Sequence, residues 1–204
     1  SIGLLLDSHY ARLLLLASFS RISFPYFIRD RHGHFFNPSN FSVVTALALC
    51  HGLATVAPGS QWGGKAWIPM VILALGTTMM VRVRRIDLVG AWLSGYVAMG
   101  LLRVALGQGG AVFALGPMLS GEFALFSFSM LPDPKTSPNT RTGRILWGAG
   151  IAITDGTLRF LEIRYSMFIA LFVFCAVLPA FRRIFGGSRL ESEPWKTVER
   201  PIGG

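Results

Sequence analysis

The chain has 204 residues, of which 52% are hydrophobic and 14% charged, with a formal net charge of +9. Its mean hydropathy is positive, and so few charged side chains exclude a water-soluble globule. The apolar residues come in long blocks rather than half-buried stripes, so the chain reads as an all-α, polytopic membrane helix bundle with about six to seven spans. Its basic residues sit in short connections between the blocks, where they act as topology signals; nucleic acid is not an expected partner.

The chain opens on Ser1-Ile2-Gly3 with no basic leader and no small-residue cleavage site, so a truncated or processed N-terminus is expected. The first block, residues 2–20, is interrupted by Asp7, His9 and Arg12 and makes the poorest helix. Further blocks follow at residues 41–56, 67–81, 88–106, 112–131, 145–161 and 165–181. Period-two alternation, which a barrel needs, is absent, so these are read as helices. At ~1.5 Å per residue the block at 41–56 reaches only about 24 Å, which means it is half-buried in neighbours or thins the bilayer. Residues 1–185 are therefore read as the transmembrane bundle, and the polar residues 186–204, with Gly and Pro and no periodicity, as a mobile cytoplasmic tail.

Numbering the spans in order places their connections alternately on two sides. Arg21, Arg29, Arg31, Arg82, Arg84, Arg85, Lys135, Arg141, Arg144, Arg182, Arg183, Arg189, Lys196 and Arg200 fall on one side, and Lys65, Arg103, Arg159 and Arg164 on the other. By the positive-inside rule the richer side, with the C-terminus, is expected in the cytoplasm, and the protein in the inner membrane. Small residues recur four apart, as in Gly90 with Ser94, Ala91 with Gly95, Gly116 with Ser120 and Gly148 with Ala152. Such spacing lets helix backbones approach closely in lipid. Cys50 and Cys175 lie inside apolar blocks without a CxxC spacing, and read as buried inert thiols rather than a disulfide.

Two connections carry polar chemistry. The first, Arg29-Asp30-Arg31-His32-Gly33-His34-Phe35-Phe36-Asn37-Pro38-Ser39-Asn40, runs straight into a span. Asn37, Ser39 and Asn40 are good N-cap residues and would present backbone N–H groups to an anion at a helix start; a plain turn and cap explains the same residues. The second, Leu131-Pro132-Asp133-Pro134-Lys135-Thr136-Ser137-Pro138-Asn139-Thr140-Arg141-Thr142-Gly143-Arg144, cannot be helical until after Pro138. Its cations and hydroxyls suit a phosphate or a cofactor edge, or equally a stiff connector anchored to lipid phosphates. His32-x-His34 lacks ligands at metal spacing, His9 and His51 are placed awkwardly for a shared haem, and no metal site is expected.

Leu119-Ser120-Gly121, residues 126–130, Asp133-Pro134-Lys135-Thr136-Ser137, residues 140–144 and the glycine-bearing span after Ile145 together resemble the C-terminal half of the RnfD/NqrB family, membrane components of the Rnf and Nqr electron transport complexes. Phe36-Asn37-Pro38-Ser39-Asn40 is similar to an earlier segment of that family, and the branch found with enediyne biosynthesis matches best, over about residues 35–185. The resemblance implies a membrane subunit of a redox-driven ion pump, acting beside the other membrane subunits of an electron transport complex. It implies FMN as cofactor, with Asn37, Ser39, Asn40, Asp133, Thr136, Ser137, Thr140 and Arg141 lining one cofactor or partner site. The family's Ser-x-Ala-Thr attachment motif is absent: Ser120-Gly121 is followed by Glu122, and Ala54-Thr55 is preceded by Gly52-Leu53. No covalent attachment residue is carried over, and no residue is assigned a catalytic role in this chain alone.

Glu122 lies some ten residues into an apolar block. Intramembrane acids are costly and usually mark ion or proton paths, so Glu122 is the candidate ion or proton group. The structural alternative is a hydrogen-bonded Glu pairing with a neighbouring span, for instance through Arg103. Asp155 and Asp87 are read as partners of Arg159 and Arg84. Two other functions fit the same residues: a proton-coupled or passive transporter of a small metabolite, and an accessory membrane protein of natural-product biosynthesis.

Overall fold

In a computed structural model of the chain, the residues described are 6–7, 36–49, 55–56, 67–82 and 84–185. Their architecture is helical. Helix α1 spans Pro38–Leu49, α2 Trp67–Arg82 and α3 Ile86–Ala105. A short helix α4 (Ala111–Leu115) passes through a 3-10 turn (Gly116–Leu119) into α5 (Gly121–Leu125) and a π turn (Phe126–Met130). Two long helices, α6 (Arg141–Phe160) and α7 (Ser166–Phe185), complete the described chain.

The apolar blocks at 67–81, 88–106, 145–161 and 165–181 correspond to α2, α3, α6 and α7 within a few residues. Three blocks differ. Leu6–Asp7, inside the block read as the first helix, is instead a two-residue strand, β1, paired antiparallel with β2 (Thr55–Val56). The block at 41–56 therefore does not run as one helix: α1 begins earlier, with Pro38 at its first position, and β-branched Thr55 and Val56 are extended. The block at 112–131 is not one straight span, because its two arms are bent by 59°. Pro117 supplies no backbone N–H, and Ser120 sits extended (φ −80, ψ 149) while its hydroxyl accepts from the Phe123 N–H at 3.2 Å, restarting the helix.

Helices α3 and α6 form the spine. Gly148 lies against the backbone of α3, where an added Cβ would run into the Leu88 carbonyl oxygen and come within 3.2 Å of the Ala91 Cβ. One turn on, a Cβ at Gly95 would lie 2.6 Å from that of Ala152. Two of the small-residue pairs thus face each other across one interface, whereas Gly90 and Gly116 face open space. Around this spine Trp92, Tyr96, Phe123, Phe126 and Phe168 make a chain of edge-on, tilted and stacked rings. The Trp92 Nε1–H donates to the Ser127 hydroxyl at 2.9 Å, so the π turn is tied to α3. Cys175 is buried on α7. By length and composition α3 is long and apolar enough to cross a bilayer, and the bent α4–α5 pair qualifies if its arms count as one span.

Candidate functional site

Polar side chains gather at two places on the α3–α6 spine. At the first, three connectors meet. Asn37 caps α1, its Oδ1 accepting from the N–H groups of Ser39 (3.0 Å) and Asn40 (3.1 Å). Its Nδ2 turns outward to the Met130 carbonyl and to Asp133 Oδ2, both at 3.2 Å. Asp133 organises the second connector: its other carboxylate oxygen accepts from Lys135 N–H at 3.0 Å, and its carbonyl accepts from the Ser137 hydroxyl at 2.8 Å and the Thr136 hydroxyl at 3.4 Å. Arg85 reaches in from the α2–α3 turn, donating to Ser137 Oγ at 2.9 Å, to the Pro138 carbonyl, and to Asn139 Oδ1 at 3.2 Å. Arg144 then grips Asp87 with a two-pronged contact, Nε to both oxygens at 2.8 and 2.9 Å and Nη2 at 2.5 Å.

The two polar connectors singled out in the sequence therefore do come together, through Asn37 and Asp133. Asn40 leaves the group: fully buried, it donates to the Phe168 carbonyl on α7 at 3.1 Å. Thr140 caps α6 by accepting from the Gly143 N–H at 3.1 Å, as the proline pattern anticipates, and Arg141 is exposed. Asp87 pairs with Arg144 and not with Arg84, because the α2–α3 turn holds Arg84 at φ 53 and leaves it exposed. Asn37, Thr136 and Ser137 are buried and, with Asp133, spend polar atoms on neighbouring chain segments, whereas Asn40 is buried with its Oδ1 unpartnered among the described residues; Lys135, Thr140 and Arg141 lie exposed at the outer edge.

The second grouping lies deeper along the spine. Asp87 to Tyr96 and Arg144 to Asp155 are separations of nine and eleven residues, which at ~1.5 Å per residue is about 14 to 17 Å. Here Asp155 on α6 is buried, accepting from the Ser166 hydroxyl at 2.5 Å through Oδ1 and lying 3.0 Å from Arg159 Nε through Oδ2. Arg159 also donates from Nη1 to the Tyr96 hydroxyl and lays its guanidinium 4.3 Å from the centre of that ring. Glu122, at the start of α5 just past the Ser120 break, is half-buried and feels the charge of Arg159. The Glu122–Arg103 pairing that the sequence allows does not form; Arg103 turns to Gln108 and to the rings of Phe113 and Phe160.

Tyr96, Met99, Gly100, Arg103, Ala114, Asp155, Gly156 and Arg159 line a small cleft with space for about one water-sized group. The Asp155–Arg159 pair is visible in the sequence as an i, i+4 couple inside an apolar helix, but Tyr96 and Ser166 give no local signal, since they reach the pair only through α3 and α7. His9, His32, His34, His51 and Cys50 lie outside the described residues, within which no group of three side chains suited to a metal occurs. No known protein family and no curated protein matches the sequence.

Proposed function

We propose that the chain is an integral membrane subunit that takes part in redox-coupled ion transport, with Glu122 and the Tyr96–Asp155–Arg159 group carrying a proton or small cation between the helices. One observation carries the reading. Large apolar side chains point outward along the helices, as with Leu101 at 52%, Val112 at 88% and Ile153 at 56% exposure, while Tyr96, Arg103, Asp155 and Arg159 on those same elements turn inward. A protein in water has the opposite arrangement, and apolar surface on this scale marks contact with lipid or with other subunits. Intramembrane charges that face the bundle interior and pair with one another are the usual sign of an ion path.

In this reading the chain crosses the inner membrane about six to seven times with its C-terminus in the cytoplasm, and the redox half rests on the likeness to the RnfD/NqrB family. The spent polar atoms of the connector junction favour flavin chemistry in companion subunits, with Lys135, Thr140 and Arg141 at the edge that meets them. The broken α4–α5 pair suits the ion step, because a helix interrupted within a bundle exposes backbone groups and one acid at the same level. The same spent atoms favour a second reading, a proton-coupled or passive transporter of a small metabolite, or an accessory membrane protein of natural-product biosynthesis, with no redox group.

The test is proton flux into vesicles carrying the full chain, with a pH-sensitive dye inside and an imposed potential. Flux above that of protein-free vesicles, lost in Glu122→Gln, supports the ion path; flux unchanged by that substitution overturns it. An absorption spectrum of the same preparation separates the readings, since flavin retained through purification would place the cofactor in this chain.

A further inference from the structure

Helices α2, α3 and α6 end on one motif. After α2 the Arg84 N–H donates to the Val81 carbonyl and the Arg85 N–H to that of Met80, both at 3.2 Å. Gly107 with Gln108 closes α3 in the same way, and Glu162 with Ile163 closes α6. The residue at the bend is left-handed each time, with φ 53 at Arg84, 76 at Gly107 and 57 at Glu162. Glycine takes that conformation freely, whereas a residue with a Cβ is strained in it. The Arg84 side chain returns nothing to the fold for that strain: it is exposed, and among the described residues it makes no hydrogen bond or ion pair. Glu162 shares the strain, so the backbone alone does not mark a site; the neighbours of Arg84 do.

Arg82 closes α2 and Arg141 opens α6; both are exposed, and neither is hydrogen-bonded through its side chain or ion-paired among the described residues. Arg85 donates to Asn139, two residues before Arg141, which brings the turn bearing Arg84 to the start of α6. The two acids of this junction are engaged elsewhere, Asp87 by Arg144 and Asp133 by the Asn37 side chain and the Lys135 N–H. At the opposite end of the spine residues 106–110 carry no charge, and Glu162 and Arg164 offset each other. Directly beside the cations Val81, Ile86, Ile145 and Leu146 are apolar and exposed. We propose that this end of the spine binds an anionic phospholipid, its phosphodiester held by Arg84 with Arg82 and Arg141 beside it, and its acyl chains against those apolar side chains. A cationic rim next to apolar surface matches a molecule that joins one negative charge to hydrocarbon. Nucleic acid or an acidic protein would meet the cations and leave the apolar part bare. The proposal rests on the membrane placement given above and not on the redox or ion step.

The test is native mass spectrometry of the full chain in neutral detergent, with phosphatidylglycerol or phosphatidylcholine of identical acyl chains added. The first phosphatidylglycerol should bind at a concentration at least about fivefold lower than the first phosphatidylcholine, the worth of one cation at an anionic surface. Inorganic phosphate at equal concentration should not displace it, because phosphate lacks the hydrocarbon half. Arg84→Gly should remove most of this preference and, by relieving the left-handed strain, raise the thermal unfolding midpoint of the lipid-free chain. Arg84→Lys should keep most of the preference. Glu162→Gly, at the opposite end, should raise the midpoint and leave the preference intact, which separates strain relief from headgroup binding. Arg82→Gln combined with Arg141→Gln should weaken the preference without touching the bend. Equal binding of the two lipids, displacement by phosphate, a lowered midpoint in Arg84→Gly, or a preference that survives both Arg84→Gly and the Arg82, Arg141 pair would overturn the proposal and leave the membrane placement standing. A chain that takes up neither lipid and stays dispersed without detergent would overturn both.

Discussion

Replacing Gly148 by alanine tests whether α3 and α6 touch at the backbone. The new Cβ would meet the Leu88 carbonyl oxygen, lie 3.1 Å from the Trp92 nitrogen and 3.2 Å from the Ala91 Cβ. Two of these atoms belong to a helix backbone and cannot swing aside, so the helices must separate locally at a cost of about 1–3 kcal/mol. Alanine also raises helix propensity by roughly 1 kcal/mol over glycine, which would mask part of the loss. Gly90 on α3 supplies the control, because it lies inside a helix and a Cβ there meets nothing within 4 Å. The propensity gain is common to both variants and cancels in their comparison. Gly148→Ala should therefore be less stable than Gly90→Ala by about 1–3 kcal/mol, a factor of roughly 5 to 150 in the unfolding equilibrium. Reversible unfolding in mixed detergent micelles, followed by tryptophan fluorescence, reads that difference. Equal stability, or a more stable Gly148→Ala, would refute the close approach of the two helices.

Arg144→Ala should destabilise by about 1.5–3 kcal/mol, since it removes charge-assisted hydrogen bonds to a carboxylate that is only 15% exposed. Arg144→Lys should recover only part of this because an ammonium cannot reproduce the fork, and a double-mutant cycle with Asp87→Asn should show coupling. Glu122→Gln should abolish proton flux while unfolding like the parent chain, which separates an ion-carrying acid from one that holds the bundle together.

The parts of the fold legible in the sequence are those written locally. Continuous apolar runs mark α2, α3, α6 and α7, Pro138 and Thr140 fix the start of α6, and the spacing of Ala91 with Gly95 and Gly148 with Ala152 anticipates a close helix pair. The break at Ser120 is hidden, since hydropathy alone is blind to a serine that caps a new helix within an apolar run. Sequence proximity assigns Asp87 the wrong partner, because Arg84 is near whereas Arg144 is 57 residues away and arrives only by folding. The connector residues stand out for their polar side chains, and sequence cannot show that Asn37, Asp133 and Ser137 spend those groups on neighbouring chain segments. The cleft at Tyr96 and Arg103 is legible only in part: one charge pair lies within α6, and the rest converges from other helices.

Whether the outward apolar faces meet lipid decides the membrane reading as a whole. Spin labels placed singly at Ile153 on α6 and Val173 on α7, both exposed, and at Lys135 in the connector test it directly in vesicles containing the full chain. Oxygen, which concentrates in hydrocarbon, should collide with the Ile153 and Val173 labels far more often than a water-soluble nickel chelate does, with the order reversed at Lys135. A chelate that reaches Ile153 and Val173 as freely as Lys135 would contradict lipid contact at those faces.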